Sequence, residues 1–122
     1  MTPVLRAIRG ATTLERDSVA QVDERVRALV TTMLERNRIK HDDIVSILFT
    51  ATDDIVSMFP AAAARSLGLG DVPLMCAREL GVVDARPLCV RVLMHFYTEA
   101  PRQGLHHVYL EGARGLRDDL PD

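Results

Sequence analysis

Residues 87–100 read PLCVRVLMHFYTEA, and this stretch decides the fold. Val90, Val92, Met94 and Phe96 alternate with Cys89, Arg91, Leu93, His95 and Tyr97, the period-two pattern of a strand from the middle of a protein. One residue breaks the apolar run. Arg91 carries a guanidinium that cannot lose its charge, so burying it without a partner would be very costly. The default partner is a carboxylate of the chain itself; the alternative is an anion that arrives from outside.

Working outward, VLRAIRGATT (4–13) begins as a second alternating strand, with Val4, Arg6 and Ile8 against Leu5, Ala7 and Arg9, and breaks at Gly10. The clearest helix is DSVAQVDERVRALVTTMLERNRI (17–39), where Val19, Val22, Val26, Leu29, Val30, Met33 and Leu34 recur as one apolar face. Ser18 with Gln21 fits a capping box at its start. DDIVSILFTATDD (42–54) is apolar, rich in β-branched residues and bounded by acidic pairs, and reads as a buried strand. FPAAAARSLGLG (59–70) predicts a short helix with Pro60 in its first turn and Gly68 ending it. VPLMCARELGV (72–82) mixes a brief strand with a turn. After 87–100, a loop APRQG (100–104) leads to HHVYLEGARGL (106–116) as a last strand, and the tail RDDLPD (117–122) is polar.

The order β-α-β-α-β-β-β predicts an α+β domain, a mixed β-sheet with helices packed on one face. Two helices cover such a sheet only partly, so the other face is expected to be buried in an oligomer of cyclic symmetry. With 122 residues and no internal repeat or linker, the chain is read as one domain over 1–117 followed by a short polar tail, 118–122.

Composition excludes several function classes. A formal charge of −2 argues against a nucleic-acid binder that neutralises phosphates, and a chain with no Trp, two Tyr and three Phe offers no base-stacking platform. The longest uncharged stretch, Ile55–Ala64, is about ten residues, too short to span a bilayer, and MTPVLRAIRG lacks a signal-peptide core. Cys76 and Cys89 stand alone, without a metal-ligand framework. A cytoplasmic protein without cofactor is expected. Of the fifteen basic residues only Lys40 is lysine. A coding bias explains that count; arginines that grip carboxylates would also do so, and only position separates the two.

Position singles out a set. Arg9 closes the first strand, Arg91 lies mid-strand, Tyr109 lies on the last strand, Arg65 sits on the short helix, and Cys76 precedes Glu79 by three residues. Each alone reads as a salt bridge or as packing. Together they offer donors for carboxylates and one acceptor, with little to serve as nucleophile or general base. That suits a small polyanion bearing a hydroxyl. His41, His95, His106 and His107 read as surface or rim residues, since adjacent histidines in a strand point to opposite faces.

IRGATTLERD (8–17), FPA (59–61), VPLMCARELGV (72–82), CVRVLMHF (89–96) and HVYLEGARGLRDDL (107–120) together resemble the monofunctional, trimeric α/β class (AroH-type) of chorismate mutase, over nearly the whole chain and in the right order. The resemblance implies a pseudo-α/β-barrel homotrimer that converts chorismate to prephenate, on the path to phenylalanine and tyrosine, with no cofactor. It implies that Arg91 donates to the ether oxygen, that Arg9 and Tyr109 hold carboxylates, and that Glu79, with Cys76 beside it, accepts the ring hydroxyl. Phe59, Ala61 and Arg65 would be the wall given by a neighbouring subunit, Met75 would contact substrate through its backbone, and Leu116 and Arg117 would close over the mouth. The chain departs from the family at Ala62, where Lys is common, and at Met75, where a small polar residue is common; its tail is also short. Two other readings fit the residue set: a trimeric enamine/imine deaminase-like enzyme, and a non-catalytic trimer that binds small carboxylates or merely pairs its arginines between chains.

Overall fold

A computed structural model of the chain describes residues 2–116. Residues Cys89–Thr98 form β4, the middle strand of a five-stranded mixed sheet. On one side β4 runs antiparallel to β1 (Val4–Thr13), and on the other antiparallel to β2 (Ile44–Ala51). The edges are β3 (Leu74–Arg78), parallel to β2, and β5 (Val108–Tyr109), parallel to β1. The expected element order and fold class hold, with α1 (Val19–Arg36) after β1 and α2 (Pro60–Ala64) after β2.

The two faces of β4 are unlike, as its alternation requires. Val90, Val92, Met94 and Phe96 are buried, together with Ile8 of β1 and with Ile47 and Phe49 of β2, which lie in register with them. Val22, Val26, Leu29, Val30 and Met33 of α1 are buried in this same core. Burying such a side chain is worth roughly 1.5–3 kcal/mol, and this burial holds the helix to the sheet more than intrinsic propensity does. Val19, at the first helical position, remains 58% exposed, so the working apolar face starts at Val22. Arg91, Leu93 and His95 point to the opposite, uncovered face and are only half-buried.

Local details depart from expectation for identifiable reasons. β1 does not break at Gly10 but continues to Thr13. A Cβ at Gly10 would lie 2.6 Å from the Met33 sulfur and 3.1 Å from Leu29, so the glycine serves close helix–sheet approach and not a turn. The last strand is two residues long, not eleven. Leu110 donates a final bond to the Ala11 carbonyl, then Glu111 adopts φ 52° and turns the chain into a 3-10 turn over Glu111–Ala113. There the Gly112 N–H donates to Thr13 Oγ1 at 2.9 Å. The capping box is half formed: Ser18 accepts from the Gln21 N–H at 3.2 Å, while Gln21 Oε1 accepts from the Glu15 N–H. After α2 the chain makes one wider helical turn, Arg65–Leu69, in which Gly68 takes φ 89°. No helix among the described residues is long and apolar enough to cross a membrane.

The β2–α2 connection is fastened to the β1–α1 connection by one carboxylate. Asp17 accepts from the Val56 N–H at 2.9 Å, the Ser57 N–H at 3.3 Å and the Ser57 hydroxyl at 2.6 Å. The Ser57 hydroxyl, and then the Val56 amide, hold the Asp17 carboxyl below its ordinary 3.8. A folded-state value below the unfolded one gives stability that is present above about pH 4 and is lost as pH falls through the lowered value. Asp17→Asn should therefore flatten the acid limb of a thermal-stability profile between about pH 5 and 2. Equal slopes for the two proteins would show that the contact carries no net stability.

Candidate active site

The register of the sheet assembles the site from four strands and one strand end. Ala11 of β1 pairs with Arg91 of β4, Arg91 with Thr50 of β2, Thr50 with Ala77 of β3, and Tyr109 of β5 with Ala11. Residues that pair across a sheet project from the same face, so Tyr109, Arg91 and Thr50 share one row on the uncovered side. Arg9 pairs with Leu93, and Leu93 with Leu48, in the adjacent row on that face. These residues line a cleft of about 350 Å³ with an apolar floor of Leu48 and Leu93.

Glu79 enters the same cleft from beyond the end of β3, its N–H held by the Ala51 carbonyl at 3.0 Å. Its Oε1 accepts from Arg91 Nε at 2.9 Å and also from the Thr50 hydroxyl. Both partners use one oxygen, which leaves Oε2 without a partner among the described residues. The terminal nitrogens of Arg91 are likewise unpaired within the described chain. Exposure matches this division of labour: the Glu79 side chain is 17% exposed and that of Arg91 41%. The cleft thus presents guanidinium N–H groups from Arg91 and Arg9, a phenol from Tyr109 and one carboxylate oxygen. It has no activated nucleophile. Cys89, near Arg91 in β4, is fully buried, and desolvation pushes its thiol above the ordinary 9.0, against the smaller pull of Arg91.

The sequence matches the family model for chorismate mutase type I over residues 5–120. The chain belongs to the type I chorismate mutases. It is 40% identical to chorismate mutase AroH of Bacillus subtilis (strain 168) over 118 residues, covering 96% of this chain and 93% of that one. It is 42% identical to chorismate mutase AroH of Thermus thermophilus over 118 residues, covering 96% and 97%. A solved chorismate mutase from Clostridium thermocellum superposes with a TM-score of 0.88 at 40% identity, covering 89% of this chain and 97% of that one. Membership in this family leaves the deaminase-like and non-catalytic readings without support.

Within this chorismate mutase the sequence-derived site residues fall into two groups. Arg9, Glu79, Arg91 and Tyr109 converge in the cleft. The others do not join them in the same chain. Cys76 pairs with Phe49 and therefore points to the helix side of β3, away from Glu79. With Phe59 it lines a separate cavity of about 400 Å³. Met75 is on the uncovered face but 66% exposed, Phe59 is 72% exposed, and Arg65 is exposed. Ala61 is buried in its own chain's core, so only its backbone could meet a ligand. Leu116 is half-buried, its N–H bonded to the Ala113 carbonyl, and does not line the cleft; Arg117 lies outside the described residues.

Thr50 is the residue that sequence reasoning missed. Its signal was a hydroxyl directly after the apolar run ILF (47–49), at the position in register with Arg91. A hydrogen bond to a charged group contributes about 1.5–3 kcal/mol. Thr50→Val keeps the shape and removes the donor, so the fold should lose about 1.5–3 kcal/mol of stability, and kcat/KM for chorismate should fall roughly tenfold or more as Glu79 loses one of its two anchors. Unchanged kinetics would show that Arg91 alone sets the position of Glu79.

Proposed function

We propose that this cleft binds chorismate and catalyses its rearrangement to prephenate. The observation that carries the reading is the Arg91–Glu79 pair, bonded at 2.9 Å through Nε and Oε1 in the lining of the cleft, with the terminal guanidinium nitrogens and the second carboxylate oxygen unpaired among the described residues. In the reaction, three electron pairs shift around a six-membered chair. The ether carbon–oxygen bond breaks, a carbon–carbon bond forms, and the ether oxygen becomes the ketone oxygen of the product. No proton, covalent intermediate or cofactor enters that balance. Rate enhancement comes from holding the chair and from stabilising charge that grows on the ether oxygen.

Each residue then has one task. Arg91 donates from its terminal nitrogens to the ether oxygen and a neighbouring carboxylate, an interaction stronger in the transition state than in the bound substrate. Glu79 accepts the ring hydroxyl at Oε2. Arg9 and Tyr109 fix the carboxylates. The assay is the fall in ultraviolet absorbance of chorismate with purified protein, which should be saturable. Arg91→Ala should lower kcat/KM by a factor of about 10²–10³ or more, and Arg91→Lys should recover only part of it because the fork geometry is lost. Absence of saturable turnover by wild type would overturn the reading, and a variant within a few fold of wild type would overturn the role of Arg91.

The reading includes a cytoplasmic homotrimer whose domain spans residues 1–117, with Phe59, Ala61 and Arg65 completing a neighbour's cleft. Its support is the apolar surface that one chain leaves in water: Val56, Phe59, Met75, Leu80, Val82 and Val83 are all exposed. Light scattering should give three times the mass of one chain; a single-chain mass at micromolar concentration would refute the assembly.

A further inference from the structure

The adjacent pair His106 and His107, read from the sequence as rim residues, fills a gap in the sheet beside one of the two arginines of the cleft. β5 joins β1 through two residue pairs, Gly10 with Val108 and Ala11 with Tyr109, and Leu110 donates to the Ala11 carbonyl. In a parallel ladder, every second residue of a strand bonds its neighbour, through both its N–H and its carbonyl. Ala11 is such a residue, so the one before it is Arg9. In the same register Arg9 would face His107 and donate its N–H to the His106 carbonyl.

The Arg9 N–H goes elsewhere, because His106 is held by the helix. Asn37, the C-cap of α1, takes both backbone groups of His106. The His106 N–H donates to Asn37 Oδ1 at 2.7 Å, and Asn37 Nδ2 donates to the His106 carbonyl at 2.9 Å. Asn37 Nδ2 also donates to the Met33 carbonyl at 2.9 Å, so the entry to β5 is tied to the end of α1 and turned away from β1. The ring of His107 takes the place of the diverted carbonyl. Its Nδ1 accepts from the Arg9 N–H at 2.9 Å, a role open only to a ring whose proton sits on Nε2.

Both residues are half-buried, where a backbone N–H without an acceptor is costly. That cost would fall at Arg9, whose long side chain lines the cleft and magnifies any shift of its backbone. Tyr109, two residues after His107, rides on the same short strand, so one bond keeps Arg9 and Tyr109 in a single register. Resting on the chorismate-binding reading of the cleft, we propose that His107 is a positioning residue. Through Nδ1 it fixes the backbone of Arg9, and with it the point at which the Arg9 guanidinium meets a substrate carboxylate. His107 does not line the cleft itself. A carboxylate is held alike in substrate and transition state, so the effect belongs to KM more than to kcat.

Two variants test this. His107→Leu removes the acceptor, whereas His107→Asn keeps one, since the Asn Oδ1 stands where the ring has Nδ1. In His107→Leu, KM for chorismate should rise about tenfold with kcat changed by less than about threefold, and His107→Asn should bring KM back to within about threefold of wild type. Amide hydrogen exchange at Arg9 should quicken in His107→Leu and slow again in His107→Asn. In an Arg9→Gln background His107→Leu should add little further loss, as required of a residue that acts through Arg9. The proposal falls if His107→Leu leaves KM unchanged, if His107→Asn is as impaired as His107→Leu, or if the losses add in full to that of Arg9→Gln. It falls also if His107→Leu lowers the mass measured by light scattering, which would assign the ring to a subunit contact. A wild type that does not turn over chorismate would strike the reading of the cleft instead, and exchange at Arg9 would still decide whether His107 holds that strand.

Discussion

A guanidinium in the central strand is the constraint around which the rest of the site is arranged. Arg91 cannot be neutralised by losing a proton, and β4 offers it no acceptor of its own. Glu79, brought in from the end of β3, supplies the counter-charge at 2.9 Å. Thr50 engages the same carboxylate oxygen, which fixes the rotamer of Glu79 without using its second oxygen. The pair is intermediate in exposure. Full burial would charge both ions a large desolvation cost, and full exposure would let water screen the attraction that catalysis needs. Half-burial keeps Arg91 folded and charged while leaving its terminal nitrogens for a ligand.

Such a pair is useful only if its backbone does not move, and the opposite face of the sheet provides that stiffness. Arg91 sits between two antiparallel partners, Ala11 and Thr50, so both edges of its strand are fixed by ladders. Beneath it, Val90 and Val92 pack into the core that α1 covers. Gly10 lets α1 approach closely enough for Met33 and Leu29 to press on β1. Preorganised donors act without reorganisation at the moment of reaction, so tight packing of the helix side is part of the chemistry on the other side.

The parts of the fold that depend on periodicity were legible in the sequence. The alternation of 89–97 located β4, its two faces and the anomaly of Arg91, and the three-and-four spacing of Val22 to Met33 located α1. What could not be read was long-range proximity. Gly10 looks like a strand break because nothing in the chain shows Met33 lying over it. Thr50 looks like an ordinary strand residue because threonine suits strands, and only the pairing with Arg91 gives its hydroxyl a purpose. Cys76 and Glu79 look adjacent on paper. Three residues apart near a strand end, however, one pairs with Phe49 on the helix side while the other turns into the cleft. The convergence of Arg9, Arg91 and Tyr109 likewise follows from the order β4-β1-β5, which no local pattern encodes; their places in the strand pattern singled them out one by one, but not that they meet.

The division of the site residues into two groups has a physical consequence. One chain carries the charged half of the site on its uncovered face, while Phe59, Arg65 and Cys76 lie elsewhere on the same chain. Alone, that cleft is open to water, and a guanidinium's pull on a developing oxyanion is weakest in water. In the proposed trimer, covering the exposed apolar loops and closing the cleft are one event. Burial of Val56, Phe59 and Leu80 against a neighbour supplies the association energy, and the same contact lowers the effective dielectric around Arg91. Asp17 belongs to this logic as well. By fixing Val56 and Ser57 it limits the motion of the segment that ends at Phe59, so the wall offered to a neighbour is as well ordered as the charges it would enclose.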